Sequence, residues 1–225
     1  MTALLIEQVE IAAALAPVWG FALVFFFMTV ESSFIPFPSE VVMIPAGFLA
    51  ARGELSLQMP GVDLSVVILM GTLGSLLGAW VNYLLARRLG QPFLLRYGKL
   101  VFLPPEKLQR AEEVFRQYGA GATFVCRMLP AIRQLISIPA GISGMNGKSF
   151  TFWTGLGAGI WVTVLAFMGY TAGMQTQDLS YGELVLQGKT LIRQNLVWLI
   201  PMLGAGLGAY IWVSRKIMTR GPTPA

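Results

Sequence analysis

The chain has 225 residues, 55% of them hydrophobic and 12% charged, with a mean hydropathy of +0.66; soluble domains carry roughly a quarter charged residues, so this is the composition of an integral membrane protein. One cysteine, Cys126, and no histidine exclude a disulfide framework, the common zinc and haem centres, and serine–histidine or cysteine–histidine catalysis. The formal net charge is +5, but in a membrane the placement of charge matters more than its sum, and no cofactor or nucleic-acid partner is expected.

The leading residues carry Glu7 and Glu10 and no Lys or Arg, and Ala14-Leu15-Ala16 runs straight into Pro17. A secretory leader starts cationic, so residues 10–30 are expected as a retained first membrane helix. From Glu31 to Gly47 the chain combines two carboxylates, Glu31 and Glu40, with Pro36, Pro38 and Pro45. Proline removes a backbone donor, and a carboxylate in hydrocarbon needs a partner or a cavity. Residues 32–50 are therefore expected as a broken, re-entrant hairpin whose arms are too short to cross.

After a polar connection (51–61), residues 62–86 form a second span, where Gly71, Gly74, Ser75 and Gly78 favour close helix packing. Residues 87–118 are rich in bases. Pro104-Pro105-Glu106 opens and Gly119 closes a helix over 104–118 whose Leu108, Ala111, Phe115 and Tyr118 share a face, as in an amphipathic interfacial helix. A second hairpin is expected over 120–145, then spans over 150–173 and 195–214, and a basic tail with Arg215, Lys216 and Arg220.

The whole, 1–225, reads as a single all-α membrane domain of about four transmembrane helices, two re-entrant hairpins in an inverted repeat and one amphipathic helix. Pro36 precedes Ile44-Pro45-Ala46-Gly47 by the interval at which Pro130 precedes Ile138-Pro139-Ala140-Gly141, and Gly78-Ala79-Trp80-Val81 is answered by Gly159-Ile160-Trp161-Val162. The basic loop and tail belong in the cytoplasm. Both termini then lie there too, the first hairpin opens outward, and the second opens toward the cytoplasm. Discontinuous helices of inverted repeats, meeting near the midplane, are a transporter plan.

The charges at membrane depth are Glu31, Glu40, Arg127 and Arg133. A guanidinium fork fits phosphate or carboxylate, and a glutamate takes up protons where its surroundings raise its pKa. Such a set can hold an anionic headgroup and exchange it for protons; the structural alternative is two ion pairs that neutralise the hairpins. Glu40, inside the proline-broken hairpin, is the stronger candidate, and Glu31 stands at its entrance. Pro36, Pro38, Pro45, Gly47, Pro130, Pro139 and Gly141 shape the hairpins. Ser39, Ser137 and Gln134 are available to freed backbone groups, and Ser39 and Gln134 also as substrate contacts. Asn82 is expected in a helix–helix hydrogen bond, Trp80 and Trp161 in packing, and Cys126 as a small buried residue.

At these residues the sequence resembles the DedA family, also called SNARE-associated or VTT-domain proteins, over roughly residues 20–175. The carriers are Glu31 with Pro36-x-Pro38-Ser39-Glu40 and Gly47, then Tyr83, Arg87 and Gly90, then Phe124-x-x-Arg127-x-x-Pro130-x-x-Arg133, Pro139-Ala140-Gly141, Met145 and Phe150. The chain departs from the pattern at Ala79, where Asp often follows glycine, and at Ala86, where Gly often precedes Arg87. The resemblance implies a multi-pass protein of the bacterial inner membrane with two facing hairpins. It also implies translocation of lipid phosphates such as undecaprenyl phosphate, dependence on the proton gradient, and a part in envelope homeostasis. Glu31 and Glu40 become the proton-coupling acids, Arg127 and Arg133 the essential bases. The leading reading is a proton-coupled flippase for an anionic lipid phosphate, not an enzyme; the alternative is an antiporter for small cations or drugs with the glutamates as its cation site. An enzyme acting on lipid phosphates lacks a nucleophile or metal here, and a purely structural role leaves the buried charges unexplained. The small number of spans suits a homodimer.

Overall fold

The computed structural model describes residues 2–33, 38–97, 120–127, 133–180 and 183. Within them lie α1 (Thr2–Glu31), α2 (Glu40–Ala51), α3 (Pro60–Tyr97), α4 (Ala120–Arg127), α5 (Ser137–Ile142) and α6 (Gly147–Gln175), and no strand. Residues 11–177 form one compact unit, and 1–10 with 178–225 a second. In the second, the Ser180 N–H and hydroxyl donate to the Glu183 carboxylate while the Glu183 N–H donates to Ser180 Oγ. This is a capping-box arrangement, and its hydrogen bonds hold the Glu183 carboxyl below the usual carboxylate range.

Three described helices are long and apolar enough to cross a membrane, through Ala14–Glu31, Pro60–Leu89 and Gly147–Gln175. The spans expected over 10–30, 62–86 and 150–173 lie on them. α3 runs past residue 86 because Arg87, Arg88 and Leu89 are good helix formers: the arginines mark a charge boundary, not a helix end. α2 has 12 residues, about 18 Å at a rise of about 1.5 Å per residue, too short for a hydrocarbon core of about 30 Å.

The prolines behave differently from one another. Pro45 lies inside α2 and does not break it; its ring faces outward, so the helix forgoes only the hydrogen bond to the Val41 carbonyl. Pro139 sits in the first turn of α5, where its missing N–H would have had no helical partner. Pro38 precedes α2, and its carbonyl accepts from the Val41 N–H at 3.2 Å. Pro36, Pro130, the helix expected over 104–118 and the span expected over 195–214 lie outside the described residues.

The long helices turn large side chains out and small ones in. Leu69, Leu73 and Leu77 of α3 and Leu156, Ile160 and Val164 of α6 are exposed, an apolar surface that suits lipid. Inward, Gly74 and Gly78 lie against the Phe25 and Thr29 carbonyls of α1, with no room for a Cβ. The two short arms pack crosswise: α2 lies chiefly on α6, and α5 on α3. Gly47 abuts the Ala166 carbonyl of α6, and Gly141 the Tyr83 carbonyl of α3. Small residues permit this backbone-on-backbone approach, the usual route to tight helix packing where lipid removes the hydrophobic drive.

Two fasteners hold the arms. Tyr83 stacks on Phe150 at 4.5 Å, Trp80 meets both rings edge-on at 5.1 and 5.8 Å, and the Tyr83 hydroxyl donates to the Met145 carbonyl at 2.5 Å. That ties the end of α5 to α3. At the end of α2, Arg52 pairs with Glu54 at 2.8 Å and donates to the Thr176 carbonyl at 2.7 Å, while Gln177 Nε2 donates to the Ala51 carbonyl at 3.0 Å.

Candidate functional site

The site grows from the end of α1. Glu31 is its last residue and only 2% exposed. A carboxylate at a helix C-terminus faces the negative end of the helix dipole and, away from water, needs a cation and donors. It has both. Arg133 Nη2 pairs with Oε1 at 2.5 Å, Ser32 Oγ donates to Oε2 at 2.8 Å, and Gln134 Nε2 donates to the Glu31 carbonyl at 2.8 Å and to Oε1 at 3.5 Å. Asn82 Nδ2 of α3 donates to the Ser32 carbonyl at 3.2 Å, in the turn just past α1 rather than to the neighbouring helix that the sequence led one to expect.

Arg133 is 9% exposed and bridges to the other arm. Its Nη1 donates to Ser39 Oγ at 2.9 Å, Trp161 Nε1 of α6 donates to the same oxygen at 3.1 Å, and the guanidinium lies 5.5 Å from the Trp161 ring centroid. Ser39 is fully buried. Its oxygen already receives two donors, so its own O–H remains to be given to an acceptor.

Arg127 stands apart. It ends α4, where the helix dipole favours a cation, and is 4% exposed. Its Nη2 donates to Ser137 Oγ at 3.1 Å, and its stem lies against Gly157 of α6. Among the described residues no carboxylate lies within ion-pair distance of it, and its Nε has no hydrogen-bond partner. A buried guanidinium with unused donors is a binding element for an anion.

The structure thus brings Glu31, Arg133, Gln134 and Ser39 into one network. It sets Arg127 with Ser137 and leaves Glu40 at the start of α2, partly exposed and unpaired among the described residues. This reverses the order expected of the acids: Glu31, not Glu40, is the buried one, because the last turn of α1 extends into the core. Ser39 and Ser137 serve the arginines rather than backbone groups, whereas Gln134 does accept a backbone task at Glu31. Trp161 was expected in packing rather than as the lining of a lipid path; its place in the Gly-x-Trp run that answers Trp80 was the available signal for a polar contact. Cys126 is a buried thiol. No cluster of three or more metal-ligating side chains occurs among the described residues.

Comparison with known proteins bears on these residues. The VTT domain family model matches residues 37–171. An alkaline phosphatase-like protein of Lactococcus lactis is 38% identical over 160 residues, 69% of this chain and 72% of that one. Undecaprenyl phosphate transporter A of Staphylococcus aureus is 31% identical over 157 residues, 68% of this chain and 74% of the transporter. Inner membrane protein YqjA of Escherichia coli is 28% identical over 162 residues, 71% of this chain and 70% of YqjA. No solved structure matches. With more than half its length inside the family model and its apolar helices in place, this multi-pass membrane protein belongs to the VTT-domain, or DedA, family.

Proposed function

We propose that the chain moves an anionic lipid phosphate across the bacterial plasma membrane. Residues 32–50 and 120–145 act as two re-entrant hairpins of an inverted repeat between four spans, with both termini in the cytoplasm. One observation carries the reading: the buried Arg127 guanidinium has no carboxylate within ion-pair distance among the described residues, while Glu31 already holds the other buried arginine, Arg133. A transporter name among the relatives supports it. Arg127 takes the phosphate while the acyl or prenyl chain stays in lipid, and the Ser39 hydroxyl is a further donor. Glu31 is the proton-coupling group. When it is protonated it releases Arg133, and the second guanidinium joins the first on the headgroup.

The test is a sealed-vesicle assay that follows the exposure of a polyprenyl monophosphate headgroup. Arg127→Ala should abolish movement, and Arg133→Ala should do the same in the protein that folds. Normal movement in Arg127→Ala would sink the proposal. Release of inorganic phosphate in the same vesicles would instead favour the chemistry in the Lactococcus relative's name.

A further inference from the structure

Pro130 stands 94 positions after Pro36, and in that register Ser39 corresponds to Arg133 and Glu40 to Gln134. Ser39 and Arg133 touch, at 2.9 Å. Equivalent residues of two related halves meet at the axis that relates them, so this contact marks the axis. The backbone obeys it. Gly47 lies on the Ala166 carbonyl of α6, and its equivalent, Gly141, on the Tyr83 carbonyl of α3. Three residues further along each long helix, Gly169 faces the Ile44 carbonyl and Ala86 packs beside Gly141.

The polar groups do not obey it. Gln134 donates to the end of α1, to the Glu31 carbonyl and carboxylate. Its equivalent, Glu40, makes no hydrogen bond or ion pair through its side chain among the described residues. The register pairs Glu31 with Val125, and two positions further on, at the end of α4, stands Arg127, engaged among the described residues by Ser137. The unmade contact is chemically matched: a carboxylate on one side and a guanidinium on the other, as the Gln134 amide now matches the Glu31 carboxylate. Inverted-repeat transporters reach their second state by moving one repeat against the other around a fixed site.

We infer that in the opposite-facing state Glu40 pairs with Arg127, neutralising the guanidinium that holds the anionic headgroup and so expelling it. This rests on the transport reading above, with Arg127 as the anion seat. It gives the two acids separate tasks: Glu31 guards Arg133 in the present state, and Glu40 displaces the substrate from Arg127 in the other.

The experiment uses the full chain, with Cys126→Ser, in phosphatidylcholine nanodiscs. Spin labels on Val41→Cys and Val125→Cys report the separation of α2 and α4, the helices that carry Glu40 and Arg127; both positions are exposed and leave Glu40 and Arg127 intact. Two distance populations are expected, with the shorter one lost in Glu40→Gln. In vesicles carrying polyprenyl monophosphate, Glu40→Gln should keep the lipid through purification yet move it about tenfold more slowly, roughly what one charge-assisted hydrogen bond is worth. Glu40→Asp should recover part of the rate. A single distance population unchanged by Glu40→Gln overturns the inference, as does Glu40→Gln protein that transports normally or loses its lipid. The distance measurement needs no transport. If Arg127→Ala transports normally while the shorter population, measured with Arg127 in place, still depends on Glu40, the transport reading fails and the pairing survives.

Discussion

The arms α2 and α5 share Ile-Pro-Ala-Gly and press its glycine onto a carbonyl of a long helix in the same way, yet their charges fare differently. Arg133, on the approach to α5, is locked by Glu31 and Ser39, whereas Arg127 of α4, beside the same arm, has no acid partner among the described residues. Packing geometry is set by the shared small residues. Charge compensation is set by what the preceding helix delivers: α1 places Glu31 against Arg133, and the other acid buried among the described residues, Asp63, accepts from the Leu57 and Met59 N–H groups at the start of α3. The difference separates a guanidinium held by structure from one kept available for a ligand.

Breaking the locked pair should have the largest effect. Arg133→Met leaves the Glu31 carboxylate buried without its cation and should destabilise the purified protein by about 3–5 kcal/mol. Glu31→Gln together with Arg133→Met should recover much of that loss, because both buried charges go. Arg127→Met removes a buried cation that has no carboxylate within ion-pair distance among the described residues, and should be neutral or stabilising. Thermal unfolding in detergent measures all three, and an equal loss for the two arginine variants would erase the distinction between them.

The shared geometry offers the next test. A Cβ on Gly47 would collide with the Ala166 carbonyl, and one on Gly141 with the Tyr83 carbonyl. Neither backbone can yield without moving its helix. Gly47→Ala and Gly141→Ala should each cost about 1–3 kcal/mol, as overpacked cores do. Similar losses in unfolding midpoint would support equivalent arms, while a loss confined to one would show that the repeat is a likeness of sequence alone.

Much of this was legible in the sequence because it depends on local signals. Hydropathy located α1, α3 and α6, and the repeated Ile-Pro-Ala-Gly lies on the two short helices, α2 and α5. The ranking of the acids was not legible. Nearness to prolines favoured Glu40, but burial is decided by where α1 ends, and the Glu31–Arg133 contact joins residues about a hundred positions apart. Pro45 misled in a related way: within a helix that turns its ring outward, a missing hydrogen bond is tolerated. The partnership of Trp161 with Ser39 is a tertiary contact, and helical spacing cannot distinguish such a tryptophan from one that merely packs.

The smallest effect should come from the second Arg–Glu pair, which isolates what burial contributes. Arg52 and Glu54 approach to 2.8 Å, but their side chains are 11% and 26% exposed, against 10% and 2% for Arg133 and Glu31. Water and salt reach Glu54, so the ion pair itself contributes at most about 1 kcal/mol. The bond from Arg52 to the Thr176 carbonyl joins the ends of α2 and α6 and contributes a similar amount. Arg52→Ala should therefore lose both, together with its contact over the Phe48 ring, while Glu54→Gln should weaken the ion pair and keep the Arg52–Thr176 bond, and raising the salt concentration should shrink the Glu54→Gln effect. Neither variant should approach the loss predicted for Arg133→Met, because a side chain left at this edge recovers water and one left beside Glu31 does not. Unfolding of the two variants at low and high salt gives the comparison directly, and an Arg52→Ala loss as large as that of Arg133→Met would mean that the clamp between α2 and α6, rather than the buried pair, holds the core together.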